Sequence, residues 1–321
     1  MSKSLFNYRN KIELNYLNSG DQYKIDANQK IKKIQKSISD FIGSDDAKTF
    51  FVSNFSIGIR IVLDRIREES NVLIIEQDYH SIISAVDERK FSVFTINLDE
   101  KVEESIIESI KKNKVEVVVL SLVQYASGFF IDFKFLDELK NKFPNILIIG
   151  DASQFLGTDF FNFLNSPFDA IICSGYKWLL AGFGNGFLTF SENFLSKTNT
   201  NSQVISDKVY VGHFDILSAY SLEFSLKKFR EVNFKSLVQE NQRLVLYLKE
   251  KLFEMGLSPF LNKEGLESSI ISISSNEKIS KILLKNNVHF SLRDGYIRFS
   301  IHFYNNQNDI ENLINILEES L

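Results

Sequence analysis

Residues 146–190 read ILIIGDASQFLGTDFFNFLNSPFDAIICSGYKWLLAGFGNGFLTF. Three apolar runs stand in this stretch, ILIIG, DAIICSGY and NGFLTF. Each is shorter than a helix needs and is bounded by Gly, Asn, Ser or Pro, which is how strands buried on both faces read. Working outward, similar runs occur at TFFVSN (49–54), NVLIIEQ (71–77), SVFTINL (92–98) and VEVVVLSLV (115–123). Stretches of helical period such as VEESIIESIKK (102–112) and FLDELKNKF (135–143) lie between them. Strand and helix alternating in this way predict an α/β fold with a mainly parallel sheet. NGFLTF follows DAIICSGY too closely for a helical crossover, so an antiparallel last strand is expected. Beyond residue 230 the pattern changes to a long amphipathic helix over 234–255, strand-like SSIISIS (268–274) and YIRFSIHF (296–303), and a closing helix over 308–317. The expected organisation is an N-terminal arm over 1–20, a large α/β domain over 21–232 and a smaller α+β domain over 233–321.

Composition narrows the function classes. With 44% hydrophobic and 24% charged residues in 321, the chain has ample apolar material for a core and is not a disordered sequence. Its 37 Lys and Arg against 41 Asp and Glu leave a net charge of -4, which offers no basic face for nucleic acid or an anionic membrane and favours a small-molecule partner. The apolar runs fall far short of the ~20 residues a membrane helix requires. The single cysteine, Cys173, cannot form an internal disulfide, and the start MSKSLFNYRNK carries no apolar leader, so a cytoplasmic protein is expected.

In an open parallel sheet, ligands bind beyond the carboxyl ends of the strands. Two ionisable residues sit there: Asp151 directly after ILIIG, and Lys177 just after DAIICSGY. Taken singly, Asp151 reads as a helix cap and Lys177 as a solvated loop lysine. Together they resemble the signature of the class V aminotransferase family, fold type I pyridoxal-phosphate (PLP) enzymes that include cysteine desulfurases and kynureninases. The resemblance implies a large PLP-binding domain of fold type I with a smaller C-terminal domain, and Lys177 as the catalytic lysine that forms a Schiff base with PLP. It makes Asp151 the partner of the pyridine nitrogen and Gln154 the hydrogen-bond partner of the ring's phenolic oxygen. Such chemistry needs an amine to hold the aldehyde and an acid to keep the ring an electron acceptor.

The resemblance extends along the chain. FFVSNFSIGIRIV (50–62) is similar to the family's strand-to-helix turn for the cofactor phosphate, with Phe55 and Ser56 at its helix start. Free N–H groups and the helix dipole suit an anion there. Read alone, Ser56 is a helix cap. Ser174 and Tyr176 match further phosphate contacts. In EQDYHSII (76–83) the flat residue that covers the PLP ring is Tyr79 by alignment, with His80 as the alternative. In VVVLSLVQYASGFFID (117–132) Tyr125 stands where many relatives carry an Asn on the phenolic oxygen. In DGYIRFSIHFYNN (294–306) Arg298 matches the arginine that grips the substrate carboxylate, a role its planar fork suits. Arg293 is the competitor, and a surface ion pair is the plain reading of either.

Two other signals carry no site. Gly182, Gly184 and Gly186 form GxGxG rather than a dinucleotide fingerprint, and His80, His213, His289 and His302 show no metal-ligand spacing, so no metal is expected. The reaction expected from the resemblance is transamination of a small amino acid with a keto acid. A kynureninase-type lyase and a non-catalytic PLP-fold protein are the alternatives. Desulfuration is disfavoured, because Cys173 lies within a predicted strand instead of on a loop near the carboxylate-binding arginine. A homodimer is implied by the resemblance alone.

Overall fold

The structure, a computed structural model, describes residues 2–261, 265 and 267–319. In chain order the elements are α1 Lys3–Ser19, α2 Asp21–Ile42, β1 Thr49–Val52, α3 Phe55–Leu63, β2 Asn71–Ile75, α4 His80–Asp87, β3 Ser92–Ile96, α5 Val102–Asn113, β4 Val117–Ser121, α6 Phe133–Lys142 and β5 Leu147–Asp151. They continue as β6 Ala170–Ser174, β7 Gly186–Phe190, α7 Glu192–Lys197, α8 Ser202–Val209, α9 Ile216–Glu231, α10 Phe234–Glu254, β8 Ile270–Ser274, α11 Glu277–Lys285, β9 Ser291–Arg293, β10 Tyr296–Ser300 and α12 Gln307–Glu318. The chain forms two compact units, Met1–Ser121 with Phe133–Val232, and Leu122–Asp132 with Asn233–Leu321.

The larger unit holds the seven strands anticipated between residues 48 and 190, in the order β1-β7-β6-β5-β4-β2-β3. β2, β3, β4, β5 and β6 are mutually parallel. β7 runs antiparallel to β6, and β1 antiparallel to β7, so β1 points the same way as the parallel set. The carboxyl ends of β1, β2, β4, β5 and β6 therefore share one edge of the sheet. Apolar strands explain the burial: β4, β5, β6 and β7 are buried at every position, whereas the edge strand β3, with Ser92 and Thr95, is largely exposed. One face of the sheet packs against α3, α4, α7 and α8 through Ile59, Val62, Leu63, Ile82, Val86, Phe194 and Ile205. Each such side chain fully buried is worth ~1.5–3 kcal/mol before entropy is charged against it.

Of the stretch expected as an arm, Lys3–Ser19 form helix α1, which clusters with the larger unit. Their contacts are aromatic and polar, with Tyr8 stacked on Phe224 of α9 at 4.5 Å and Arg9 Nη1 donating to Ser221 Oγ at 3.1 Å; just beyond them, Tyr23 of α2 lies edge-on to Tyr220 at 6.4 Å. Leu5 is the buried residue of α1, so an apolar period was not there to be read.

In the smaller unit α10, α11 and α12 cover the three-stranded sheet β8-β10-β9, with Leu244, Leu248, Ile271, Ile297, Phe299 and Leu313 in its core. Residues 122–132, which chain order places in the large domain, belong here. Gly128 explains part of this: at φ +78° it lies so close to the Ile270 carbonyl of β8 that a Cβ would fall 2.3 Å from the oxygen.

Candidate active site

The strand-end edge of the larger unit collects the predicted residues. Asp151 closes β5 and is 5% exposed, with Oδ1 accepting the Ser153 N–H at 2.8 Å. Burial pushes its carboxyl upward, and the Lys177 ammonium is the first influence pulling it back. Lys177 is half-buried in the turn after β6, its Nζ 5.4 Å from the centre of the Tyr79 ring and 6.0 Å from that of Tyr176. The lysine thus lies against aromatic faces and acts electrostatically on a buried acid, which is not the setting of a solvated loop residue.

Two serines bind this corner together. The Ser174 N–H donates to Ser153 Oγ at 3.0 Å, and Ser174 Oγ accepts the Phe55 N–H at 3.0 Å, which joins the ends of β5 and β6 to the start of α3. At that helix start Asn54 caps by accepting the Ile57 N–H at 3.0 Å, and Ser56 Oγ shares a hydrogen bond with Ser81 Oγ at 2.8 Å. The Ser56 amide has no protein acceptor among the described residues. An open amide at a helix N-terminus beside serine hydroxyls is a seat for a phosphate dianion.

Gln154 is oriented by a neighbour. Its Oε1 accepts the indole N–H of Trp178 at 3.0 Å, and because that group can only donate, the Gln154 amide nitrogen is left facing elsewhere as a donor. Of the two flat side chains in 79–80, Tyr79 is half-buried beside Lys177, whereas His80 is exposed with its ring edge-on to Tyr79 at 4.3 Å. Tyr176 is half-buried, packs on Phe183 at 5.2 Å, and has its phenol pushed up mainly by burial.

Sequence reading missed Ser153 and Asn185. Asn185 is fully buried and its Nδ2 donates to the carbonyls of Ala181, Gly182 and Phe183, at 3.0, 3.1 and 3.4 Å. It braces the loop after Lys177, where Leu180 sits at φ 55°. The Asp-x-Ser turn was a legible signal for Ser153. Asn185 hid inside a glycine run.

In the smaller unit Arg298 Nη1 donates to the Tyr125 carbonyl at 2.6 Å and Nη2 reaches Ser291 Oγ at 3.5 Å. Its buried Nε has no hydrogen-bond partner among the described residues, and burial followed by Arg293 lowers its pKa. A half-buried guanidinium with donors in a planar fork is suited to an anion such as a carboxylate. Arg293 is exposed. Tyr125 directs its hydroxyl to Asp294 Oδ2 at 2.6 Å, and Gln124 is spent on its own turn, accepting from the amides of Ala126 and Ser127 at 2.7 Å.

The donor set in the larger unit, with its open helix-start amide, buried acid and half-buried lysine, fits PLP. The sequence matches the family described as "Aminotransferase class-V" over residues 3–313. The chain belongs to the class-V aminotransferase family. It is a PLP-dependent enzyme. Among its relatives, a probable cysteine desulfurase of Borreliella burgdorferi is 22% identical over 96% of this chain and 85% of that protein. In fold, the chain resembles the cysteine desulfurase of Thermococcus onnurineus NA1, with TM-score 0.83 and 16% identity over 99% of this chain and 91% of that one. It also resembles a C-DES mutant with glycine covalently linked to the PLP cofactor, with TM-score 0.88 and 13% identity over 99% and 93% of the two chains. C-DES is described as a cystine C–S lyase whose reaction product is cysteine persulfide. Among the described residues no helix is long and apolar enough to cross a membrane.

Proposed function

We propose that the enzyme transaminates a small α-amino acid. Bound PLP supplies an aldehyde for the amino group and a sink for the electrons left at Cα. Lys177 would hold the cofactor through its Nζ and, as a free amine during turnover, would be the base that takes the Cα proton and the acid that gives it back. Asp151 would keep a proton on the ring nitrogen, a task for which a buried carboxylate is suited. Gln154 presents its amide nitrogen to the phenolic oxygen. Ser56, Ser174 and Tyr176 hold the phosphate, with Phe55, whose amide is bonded to Ser174 Oγ, fixing that hydroxyl at the helix start; Tyr79 covers one ring face, and Arg298 receives the substrate carboxylate.

The observation that carries the reading is the placement of the only thiol. Cys173 is fully buried inside β6 and burial pushes its pKa far up, so it is neither accessible nor ionised to accept sulfur. The groups at the strand ends move protons and bind anions, which is what transamination requires. A second reading, a lyase that releases a β-substituent by C–S cleavage, is favoured by the C–S chemistry in the names of the relatives and likewise needs no protein thiol. A kynureninase-type lyase is tested by the same experiment. The PLP-loaded protein is mixed with single amino acids, the cofactor spectrum is followed, and the products are identified. Transamination converts the cofactor to its amine form and yields a keto acid in equal amount. Pyruvate and ammonia released together with a sulfur species, without the amine form, would replace it with the lyase.

The strongly exposed Phe183 and Val211, at 79% and 76%, support a homodimer in which these side chains are covered, a proposal that sedimentation of the purified protein decides. The absence of disulfide chemistry supports a cytoplasmic location.

A further inference from the structure

Asp78 has no part in the chemistry above, yet its carboxylate is held more closely than any other group at the strand ends. It follows β2, is 3% exposed, and accepts three hydrogen bonds. Oδ1 takes the Tyr79 N–H at 2.6 Å and the Ser121 hydroxyl at 2.5 Å, and Oδ2 takes the Ser121 N–H at 2.8 Å. Burial is the largest influence on its proton affinity, and the charged group acting on it is a second carboxylate, Asp151, which raises it further. Burying a carboxylate this way is costly, and only a well-placed set of donors compensates. Capping a helix does not demand it, since an exposed Ser or Asn does that work.

The position of Ser121 gives the bonds their meaning. Ser121 ends β4 and is the register partner of Asp151 in β5. The carboxylate that grips both donors of Ser121 also holds the amide of Tyr79, whose ring lies against Lys177. We infer that Asp78 is a positioning residue, tying the ring that covers the cofactor to the end of β4, the strand paired with the one that carries Asp151. The inference rests on the reading of Lys177, Asp151 and Tyr79 as the PLP site. With both its oxygens engaged, Asp78 fixes the Tyr79 backbone at the tip of β2, and the ring's distance from the acid no longer depends on the exposed Glu76 and Gln77 before it.

The test uses Asp78→Asn, which keeps the shape but sets an amide NH2 against donors, and Ser121→Ala, which removes the hydroxyl donor alone. PLP affinity is measured by absorbance titration, and the visible circular dichroism of the bound cofactor reports how it is held. Asp78→Asn is expected to raise the PLP Kd about tenfold and weaken the dichroic band per bound cofactor. Ser121→Ala should move both in the same direction by less, with kcat falling and KM for the amino acid unchanged. If both variants bind PLP within twofold of the parent with an unaltered band, Asp78 is not a positioning residue. Should Asp78→Asn fail to fold, Ser121→Ala alone decides by the same measures. A parent protein that binds no PLP overturns the site reading, which separates that failure from the failure of the positioning role.

Discussion

Replacing Trp178 with Phe tests how the site orients Gln154. The indole N–H is 3.0 Å from Gln154 Oε1, and the two residues are 5% and 8% exposed. Phe removes the donor but keeps most of the aromatic volume. A neutral hydrogen bond is worth about 1 kcal/mol net, and a buried acceptor left without its partner costs about 1–3 kcal/mol. Adding the small void, the expected loss is about 2–4 kcal/mol of unfolding free energy in the larger unit. The second effect is orientational. With the donor gone the Gln154 amide is free to turn by half a rotation, and its oxygen then competes with its nitrogen for the place facing the cofactor. PLP affinity should fall about three- to tenfold as a result. Trp178 is the only tryptophan, so unfolding of the variant is followed by far-ultraviolet circular dichroism rather than fluorescence. In the parent, the same uniqueness makes fluorescence quenching by PLP a direct binding signal. A double-mutant cycle with Gln154→Leu isolates the pair. Unfolding free energies within about 0.5 kcal/mol of the parent, unchanged PLP affinity and no coupling in the cycle would refute the reasoning.

Three further outcomes follow from the geometry. Asn185→Ala strips three loop carbonyls of their shared donor in a fully buried position, and should cost about 2–4 kcal/mol and weaken PLP binding; urea unfolding and cofactor titration check both. Cys173→Ala should cost about 1 kcal/mol for the void and leave turnover intact, and a variant that folds, binds PLP and has lost all turnover would show that the thiol takes part after all. Asp78 has its pKa raised to about 6, so between its unfolded value of about 4 and that point the folded protein binds more protons than the unfolded one. Its contribution is complete below pH ~4 and is lost as the pH rises through about 6, by about 3 kcal/mol. The stability of the parent relative to Asp78→Asn should therefore fall across that window, and parallel curves would rule it out.

The strands were legible because both faces of a parallel sheet are apolar, and runs such as VVVLS and LIIGD have no other reading. Asp151 and Lys177 stood out only as a pair. Charge at the tip of an apolar run calls for a partner, but each alone reads as a cap or a loop lysine. It was their joint resemblance to the class V signature that singled them out. Two things were not legible. The placement of β1 beside β7, at the far side of the sheet from β2, brings Phe55 and Ser56 to Ser174. Nothing in TFFVSN specifies a neighbour, since any buried apolar strand would accept it. The membership of residues 122–132 in the smaller unit depends on the close passage of Gly128 over β8, a contact between segments distant in sequence. The same limit hid Ser153 and Asn185, whose side chains act on backbone atoms and carry no periodic signature.

The location of the thiol connects fold to reaction. Along β6 side chains alternate between faces, and every position of the strand is buried, so a cysteine anywhere within it is sealed. Only at Ser174 and beyond does the chain reach the edge where a cofactor can lie. A cysteine that carried sulfur would have to be accessible, and the one thiol of this chain is buried inside the sheet. The fold is shared with proteins named for cleaving C–S bonds, but a fold supplies only the edge on which a site is built. On the proposed reading this chain places there one amine, Lys177, to take a proton and several groups to bind anions. Its reaction is therefore decided by where that proton goes next. Its delivery to the cofactor would complete a transamination. Should the substrate instead lose a β-substituent before the return, the same residues perform an elimination, and identification of the products with each amino acid distinguishes the two without altering a single side chain.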